Sequence, residues 1–404
     1  MAERLKGNML IAQSGGPTAV INQSLVGAII EAKKHGEIKG IYGALNGIKG
    51  IMEERLIDLR REQLPNLKKV ACTPCAALGS VRKKPSEQDC VAIFKILQKY
   101  DIRYFFYIGG NDSAETTHII NENTKKDNYE FRCFHIPKTI DNDLLENDHT
   151  PGYGSAARFV AMAVMGDNFD NISLPGVKID VIMGRHAGFL TAASSLARVN
   201  EGDGPHLIYF PERPFSKEMF LTDLEKVYSR YGRCLVAVSE GICDENGDPI
   251  ASKFIKEVDA HGNVQLSGTG ALGDLLAGFV KNELKIGRVR ADTFGYLQRS
   301  FPSLCSDVDV KEAYQVGALA VKYATSGKLG SGSVSIQRKK SKKYEVYFEP
   351  VELLKVAKHT KSMPAKFINK QGNNVTKAFI EYAKPLVSKL PEIGMLTKYP
   401  VRKR

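Results

Sequence analysis

The 404-residue sequence contains no apolar run approaching the ~18 residues that a membrane span requires. That excludes helical membrane transport and anchoring from the functions to consider. Its start, MAERLKGNMLIAQSGGP, carries a short apolar piece but no signal-peptide architecture, so the cytoplasm is the expected compartment. Seven cysteines in a chain of this length do not build a disulfide framework. Cys72 and Cys75 form a C-x-x-C pair, yet no second pair or nearby histidine completes a zinc set, and the pair reads as a loop with two reduced thiols. Several signatures are missing as well. Without G-x-x-x-x-G-K-[ST] there is no Walker-type nucleotide site, and the glycine spacing of a dinucleotide fold is absent. There is no HRD, DFG or G-x-S-x-G motif either, which sets aside protein kinases and serine hydrolases.

What is present is ordinary in bulk: 43% apolar and 25% charged residues, enough for a large core in two domains and an appendage. The formal charge of +12 is uneven, because residues 361–404 hold ten Lys/Arg against two Glu. Arg338, Lys339, Lys340, Lys342 and Lys343 form a second basic cluster. Without interleaved aromatics or a recognition motif these runs read as solvated basic faces, and no nucleic-acid partner is expected. A positive field does suit an anionic small molecule.

Apolar strand-like runs alternate with helical patterns from the start to about residue 325. Residues 8–13, 104–108, 131–136, 177–183 and 234–239 read as strands, most of them followed by a glycine turn or a helix. Helices are expected over about 19–34, 114–121 and up to 199. This rhythm predicts an α/β protein with doubly wound sheets. The expected division is an N-terminal α/β domain over 1–150, a second α/β region over 151–325, and a C-terminal extension over 326–404. The extension is expected to hold a hairpin of 333–337 with 344–348 and to be mainly helical from residue 351 onward.

The chemistry concentrates at strand ends, where open α/β sheets build their ligand sites. PKTIDND, residues 137–143, sets Asp141 and Asp143 one residue apart with Lys138 three positions earlier. A carboxylate can take a proton from an attacking hydroxyl, and a lysine can neutralise charge on a phosphoryl group, so the heptad suggests phosphoryl transfer to an alcohol. SGGPTAVIN, residues 14–22, brings Gly15 and Gly16 to a helix start suited to phosphate. IGGNDS, residues 108–113, repeats the pattern with Gly109 and Gly110 as a phosphate cradle. Asn111 and Asp112 there can hold magnesium, or Asp112 can cap the next helix. Arg82, in LGSVRKK, can fork onto phosphate oxygens or face solvent. MGRHAG places Arg185 and His186 at a strand end, the histidine reading as structural. Glu240 can accept sugar hydroxyls, and YLQRS supplies Tyr296 and Arg299.

With GGPTAVIN, GGNDS, PKTIDND, MGRHAG and YLQRS in this order, the chain resembles the phosphofructokinase family over residues 8–325. The resemblance implies two Rossmann-like α/β domains with the active site in the cleft between them. ATP-using members typically carry Gly-Gly-Asp-Gly at the second motif and Pro-Gly-Thr-Ile-Asp at the third. Asp112 and Lys138 depart from both, as in the pyrophosphate-dependent branch. A carboxylate at Asp112 would project where a nucleotide's α-phosphate must pass, while Lys138 would stabilise the transferring group. The implied reaction is reversible transfer from pyrophosphate to the 1-hydroxyl of fructose 6-phosphate, with Mg2+ as cofactor and Asp141 as base. Gly15, Gly16, Arg82 and Gly110 are the implied pyrophosphate contacts, and Asn111 the position near the metal. Many relatives carry an aspartate where Asn111 stands, so direct ligation loses one charge. Thr139, Ile140, Asp141, Met183, Gly184, Arg185, Glu240, Tyr296, Leu297, Gln298 and Arg299 are the implied sugar-phosphate contacts. Arg290 matches an arginine that reaches the sugar phosphate from a neighbouring subunit, which implies a homo-oligomer. The alternatives are an ATP-dependent phosphofructokinase, against which Asp112 and Lys138 argue, and a silent sugar-phosphate sensor, against which the intact Asp141 argues. Lipid or NAD kinases also use a Gly-Gly-Asp motif, and PKTIDND and YLQRS argue against them.

Overall fold

The computed structural model describes residues 5–253, 269–357 and 359–401. The chain folds into two α/β units. The first holds β1 (Gly7–Gln13), β2 (Ile38–Ala44), β3 (Leu56–Asp58), β4 (Ile102–Gly109) and β5 (Arg132–Pro137). The second holds β6 (Val177–Ile182), β7 (Leu207–Tyr209), β8 (Cys234–Ser239) and β9 (Val289–Thr293), and the chain then adds β10 (Ser331–Arg338) and β11 (Val346–Val351). The seven-stranded sheet runs β11-β10-β5-β4-β1-β2-β3, and the four-stranded sheet runs β7-β8-β6-β9. β1, β2, β4, β5 and β10 are mutually parallel, with β3 and β11 antiparallel at the two edges. The smaller sheet is wholly parallel.

Continuous apolar runs make these strands, as expected for sheets covered on both faces. In the large sheet Met9, Ile11, Tyr104, Phe106 and Ile108 pack on the helices Ile21–Ala32 and Asp307–Thr325. The alternate residues Leu10, Ala12, Phe105 and Tyr107 pack on the opposite layer with Ile48, Ile51, Ile93 and Leu97. In the small sheet Val177, Ile179 and Val181 face Phe220, Leu224, Leu276 and Val280, while Ile182, Leu235 and Ala237 face the helix Tyr153–Ser173. Both sheets are therefore doubly wound.

The helix Asp307–Thr325 returns the chain to the first unit, against Ile21–Ala32. Beyond residue 351 the chain departs from the mainly helical expectation. Among the described residues it forms only the short helices Leu353–Val356 and Lys377–Ala383, with 3-10 turns between and after them. Its anchors are apolar: Phe379, Ala383, Leu386 and Val387 enter the core of the second unit, and Leu353 enters that of the first. Burying such a side chain is worth about 1.5–3 kcal/mol, which holds a segment that lacks long helices. All seven cysteines are free thiols. Among the described residues no helix is long and apolar enough to cross a membrane.

Candidate active site

The strand order reverses direction around β1 and β4, so the loops after β1, β4 and β5 open at one crevice. They line a cavity of about 260 Å3 with Ser14, Gly15, Gly16, Arg82, Lys84, Gly110, Asn111, Asp112, Lys138, Thr139, Asp141, Asp143 and Arg185. A second cavity of about 250 Å3 adjoins it. It shares Gly16, Arg82, Lys138, Thr139, Asp141 and Arg185 with the first, and adds Thr18, Ile140, Met183, His186, Glu240 and Arg299. Both units contribute, so the expected cleft is present.

Gly15 adopts φ +73°, a left-handed turn that favours glycine. This turn brings the Gly16 carbonyl to the Lys138 ammonium, which donates to it at 2.7 Å. A Cβ on Gly16 would lie 2.8 Å from Arg299 Nη1, so the bare backbone lets the arginine approach. Lys138 is itself anchored by its N–H on the Gly109 carbonyl at 2.9 Å. Burial, then Arg299 and Arg82, push the Lys138 ammonium down to about 7, against the opposing pull of Asp141 and Asp143. Crowded cations with too little negative charge mark a seat for an anion.

Asp141 is the mirror case. Burial first, then the Asp143 and Glu240 carboxylates, push it above the usual carboxylate range, while Lys138 and Arg299 oppose the shift. Asp143 is raised by burial too. The Asp141 N–H donates to Thr139 Oγ1 at 3.1 Å, which fixes the turn. A carboxylate with raised proton affinity, in a cleft with cations, has the character of a general base.

The helix after β4 begins at Asn111, three residues earlier than the sequence suggests, with Gly110 as its N-cap. Asp112 therefore lies in the first turn and is not the cap. Its side chain pairs with Lys84 at 3.3 Å, and Lys84 also reaches Glu115 at 2.7 Å. Asn111 Oδ1 accepts the Asp112 N–H at 2.9 Å. The donors offered to this cavity by Asn111, Asp112, Asp141 and Asp143 are all oxygen, which suits a hard divalent cation. Among the described residues, the only three acidic, His or Cys side chains whose ligand atoms lie within 4.8 Å of one another are Asp167, Asp180 and Asp292, and none lines the cleft. The cleft thus offers such a cation oxygen donors and not a closed cage of protein ligands.

Not every expected contact reaches the cavities. Gln298 is buried and structural: its Oε1 accepts the Met183 N–H at 3.2 Å and its Nε2 donates to the Gly295 carbonyl at 2.8 Å. That tie holds Arg299 against the end of β6. Gly184 turns with φ +140° behind the lining, its carbonyl accepting from Ser239. Tyr296 and Leu297 are exposed outside the cleft, although the Arg299 guanidinium lies over the Tyr296 ring at 4.4 Å. Arg290 sits exposed on the edge strand β9.

The cleft also holds residues that sequence reasoning passed over. Thr18 Oγ1 is buried with no protein partner, as is Nε of the expected Arg299, leaving hydrogen-bonding capacity for a ligand. Thr18 lay within SGGPTAVIN, and a hydroxyl beside a glycine turn was the available signal. Lys84 had none beyond its charge, and His186, read as structural, lines the second cavity.

A family model described as phosphofructokinase matches residues 8–324. The chain is 54% identical over 399 residues to the pyrophosphate--fructose 6-phosphate 1-phosphotransferase of Rhodospirillum rubrum, covering 98% of this chain and 97% of that protein. It is 39% identical to the protein of that name from Xanthomonas campestris, covering 94% and 91%. A crystal structure titled pyrophosphate-dependent phosphofructokinase from Marinobacter aquaeolei superposes with a TM-score of 0.85 at 34% identity, covering 98% of each chain.

Proposed function

The chain belongs to the phosphofructokinase family, and we propose the following division of labour in its cleft. The enzyme transfers a phosphoryl group reversibly between pyrophosphate and the 1-hydroxyl of fructose 6-phosphate, giving fructose 1,6-bisphosphate and phosphate. One observation carries the assignment of roles: a base, Asp141, and a buried cation, Lys138, line both cavities, with Asp112 at the far wall of the first.

Pyrophosphate occupies the first cavity against Gly15, Gly16, Gly110 and Arg82. Its charge satisfies the Lys138–Arg82–Arg299 cluster, and Lys138 becomes a stable ammonium once the anion is seated. Fructose 6-phosphate fills the second cavity along Thr139, Ile140, Met183, Arg185, Glu240 and Arg299. Asp141 takes the proton of the 1-hydroxyl as its oxygen attacks phosphorus. The bond to the bridging oxygen breaks, and that oxygen leaves with the departing phosphate. Lys138 neutralises the charge that develops there. In the reverse direction the protonated Asp141 returns the proton to the sugar oxygen. Asn111 and Asp112 would hold a magnesium ion, which when bound would supply neutralisation of the phosphate charge.

Asp112, with its partner Lys84, closes the space a nucleotide tail would need. A neighbouring copy supplies Arg290 to the sugar phosphate, a role supported by its exposure on the edge strand. A cytoplasmic enzyme fits these substrates. Steady-state assays on fructose 6-phosphate with pyrophosphate and with ATP test the reading: turnover with pyrophosphate alone is expected, and turnover with ATP alone would overturn it.

A further inference from the structure

Asp141 and Asp143 line the same cavity, and Asn142 between them is left-handed, with φ 58°. Asparagine is among the few non-glycine residues that adopt this region, and its side chain is also held in place. What holds it comes from the far end of the chain. Asn142 is fully buried, and its Nδ2 donates to the Tyr382 hydroxyl at 2.7 Å. The Tyr382 hydroxyl donates in turn to the Asp148 carbonyl at 2.8 Å, clamping the loop at both ends.

Lys361 makes a second tie. Its N–H donates to the Asp143 carbonyl at 2.7 Å, next to a bridge between Leu144 and Thr360. Its ammonium donates to the carbonyls of Asn147 and Asp148 at 2.8 and 3.1 Å. Both side-chain acceptors are main-chain oxygens, so the lysine is spent on fixing a turn. Lys361 and Tyr382 lie beyond residue 324, where the match to the family model ends.

We propose that Lys361 and Tyr382 are positioning residues for the transfer, holding the 141–148 loop so that both carboxylates face the cavity. Neither residue lines the cleft, and both act through Asn142 and the loop carbonyls. The proposal rests on the functional reading above. A base misplaced by a fraction of an ångström loses turnover more than affinity, because substrate binding draws on many other contacts.

The test is steady-state kinetics of Tyr382→Phe, Lys361→Met and the double variant with pyrophosphate and fructose 6-phosphate, alongside melting curves. Tyr382→Phe removes one oxygen and keeps the ring, so it remains informative if Lys361→Met does not fold. The expected result is a drop in kcat of about tenfold or more for each variant. Both KM values should stay within about twofold, and the double variant should fall less than the product of the singles. Wild-type kcat in a folded Tyr382→Phe protein overturns the proposal, as does a loss confined to KM. A wild-type enzyme that does not turn over these substrates would instead strike the functional reading.

Discussion

The Asp112 carboxylate holds the Lys84 ammonium at 3.3 Å, and both residues line the first cavity. Asp112 is more than half exposed, so the pair adds little to stability. Replacing Asp112 and Lys138 together by glycine removes the obstructing carboxylate and the cation suited to a short donor. ATP turnover should appear, and kcat/KM for pyrophosphate should fall. Unchanged pyrophosphate use with no ATP use in donor-swap kinetics would refute this account of selectivity.

Lys138→Met separates catalysis from stability. The ammonium is buried among cations, so its removal should not lower the melting temperature and should raise it slightly. Turnover should fall by about a hundredfold or more, since a cation aimed at developing charge is worth several kcal/mol. A variant that melts much earlier and retains turnover would show that Lys138 is a structural anchor for the Gly16 loop.

Asp141→Asn should reduce kcat by about 10²–10⁴-fold with little change in the KM for fructose 6-phosphate. The pH dependence follows from the raised proton affinity of Asp141. The base must be ionised, so the forward rate should decline on acidification at a higher pH than an ordinary carboxylate would give. Stability has the opposite sign: the folded state holds this proton more tightly than the unfolded chain, so stability falls as pH rises from the ordinary carboxylate value through the raised one. Melting curves of Asp141→Asn and wild type should therefore diverge as pH rises through that window. Parallel curves would show that Asp141 titrates normally.

Subunit mixing tests the position of Arg290. Arg290→Ala and Asp141→Asn should each be nearly inactive as pure proteins. If the arginine serves a neighbour's site, mixed oligomers should regain activity, because some sites then hold a native Arg290 and a native Asp141. Recovery is expected after mild dissociation and reassembly, read by the coupled assay beside light scattering. No recovery in demonstrably mixed oligomers would place Arg290 at its own subunit's site and overturn the intersubunit role.

The sheets and the cleft were legible in the sequence because their signals are local. β1, β4 and β5 are apolar runs buried on both faces, and each ends directly in a motif that lines the cleft. The residues passed over depend on distant partners. Lys84 gains its place from Asp112 and Glu115, about thirty positions away in the chain. Gln298 reads as a contact in YLQRS, yet it is turned inward by the Met183 amide on another strand end. The chain beyond residue 351 looks helical by composition, but Pro364, the left-handed Gly372 and Pro385 interrupt it, and Phe379 and Tyr382 make their distant contacts from within the short helix Lys377–Ala383.

The parallel pairing of β10 with β5 has one more consequence. Without it, the strand that delivers the Lys138 loop would be the rim of its sheet, with a bare row of amides and carbonyls beside the reaction centre. Such rims recruit other chains and breathe. With β10 and β11 in place the rim moves two strands outward, and the reactive loop grows from the sheet's interior. A chain cut after Thr325 would therefore be expected to aggregate through β5 before its chemistry could be measured.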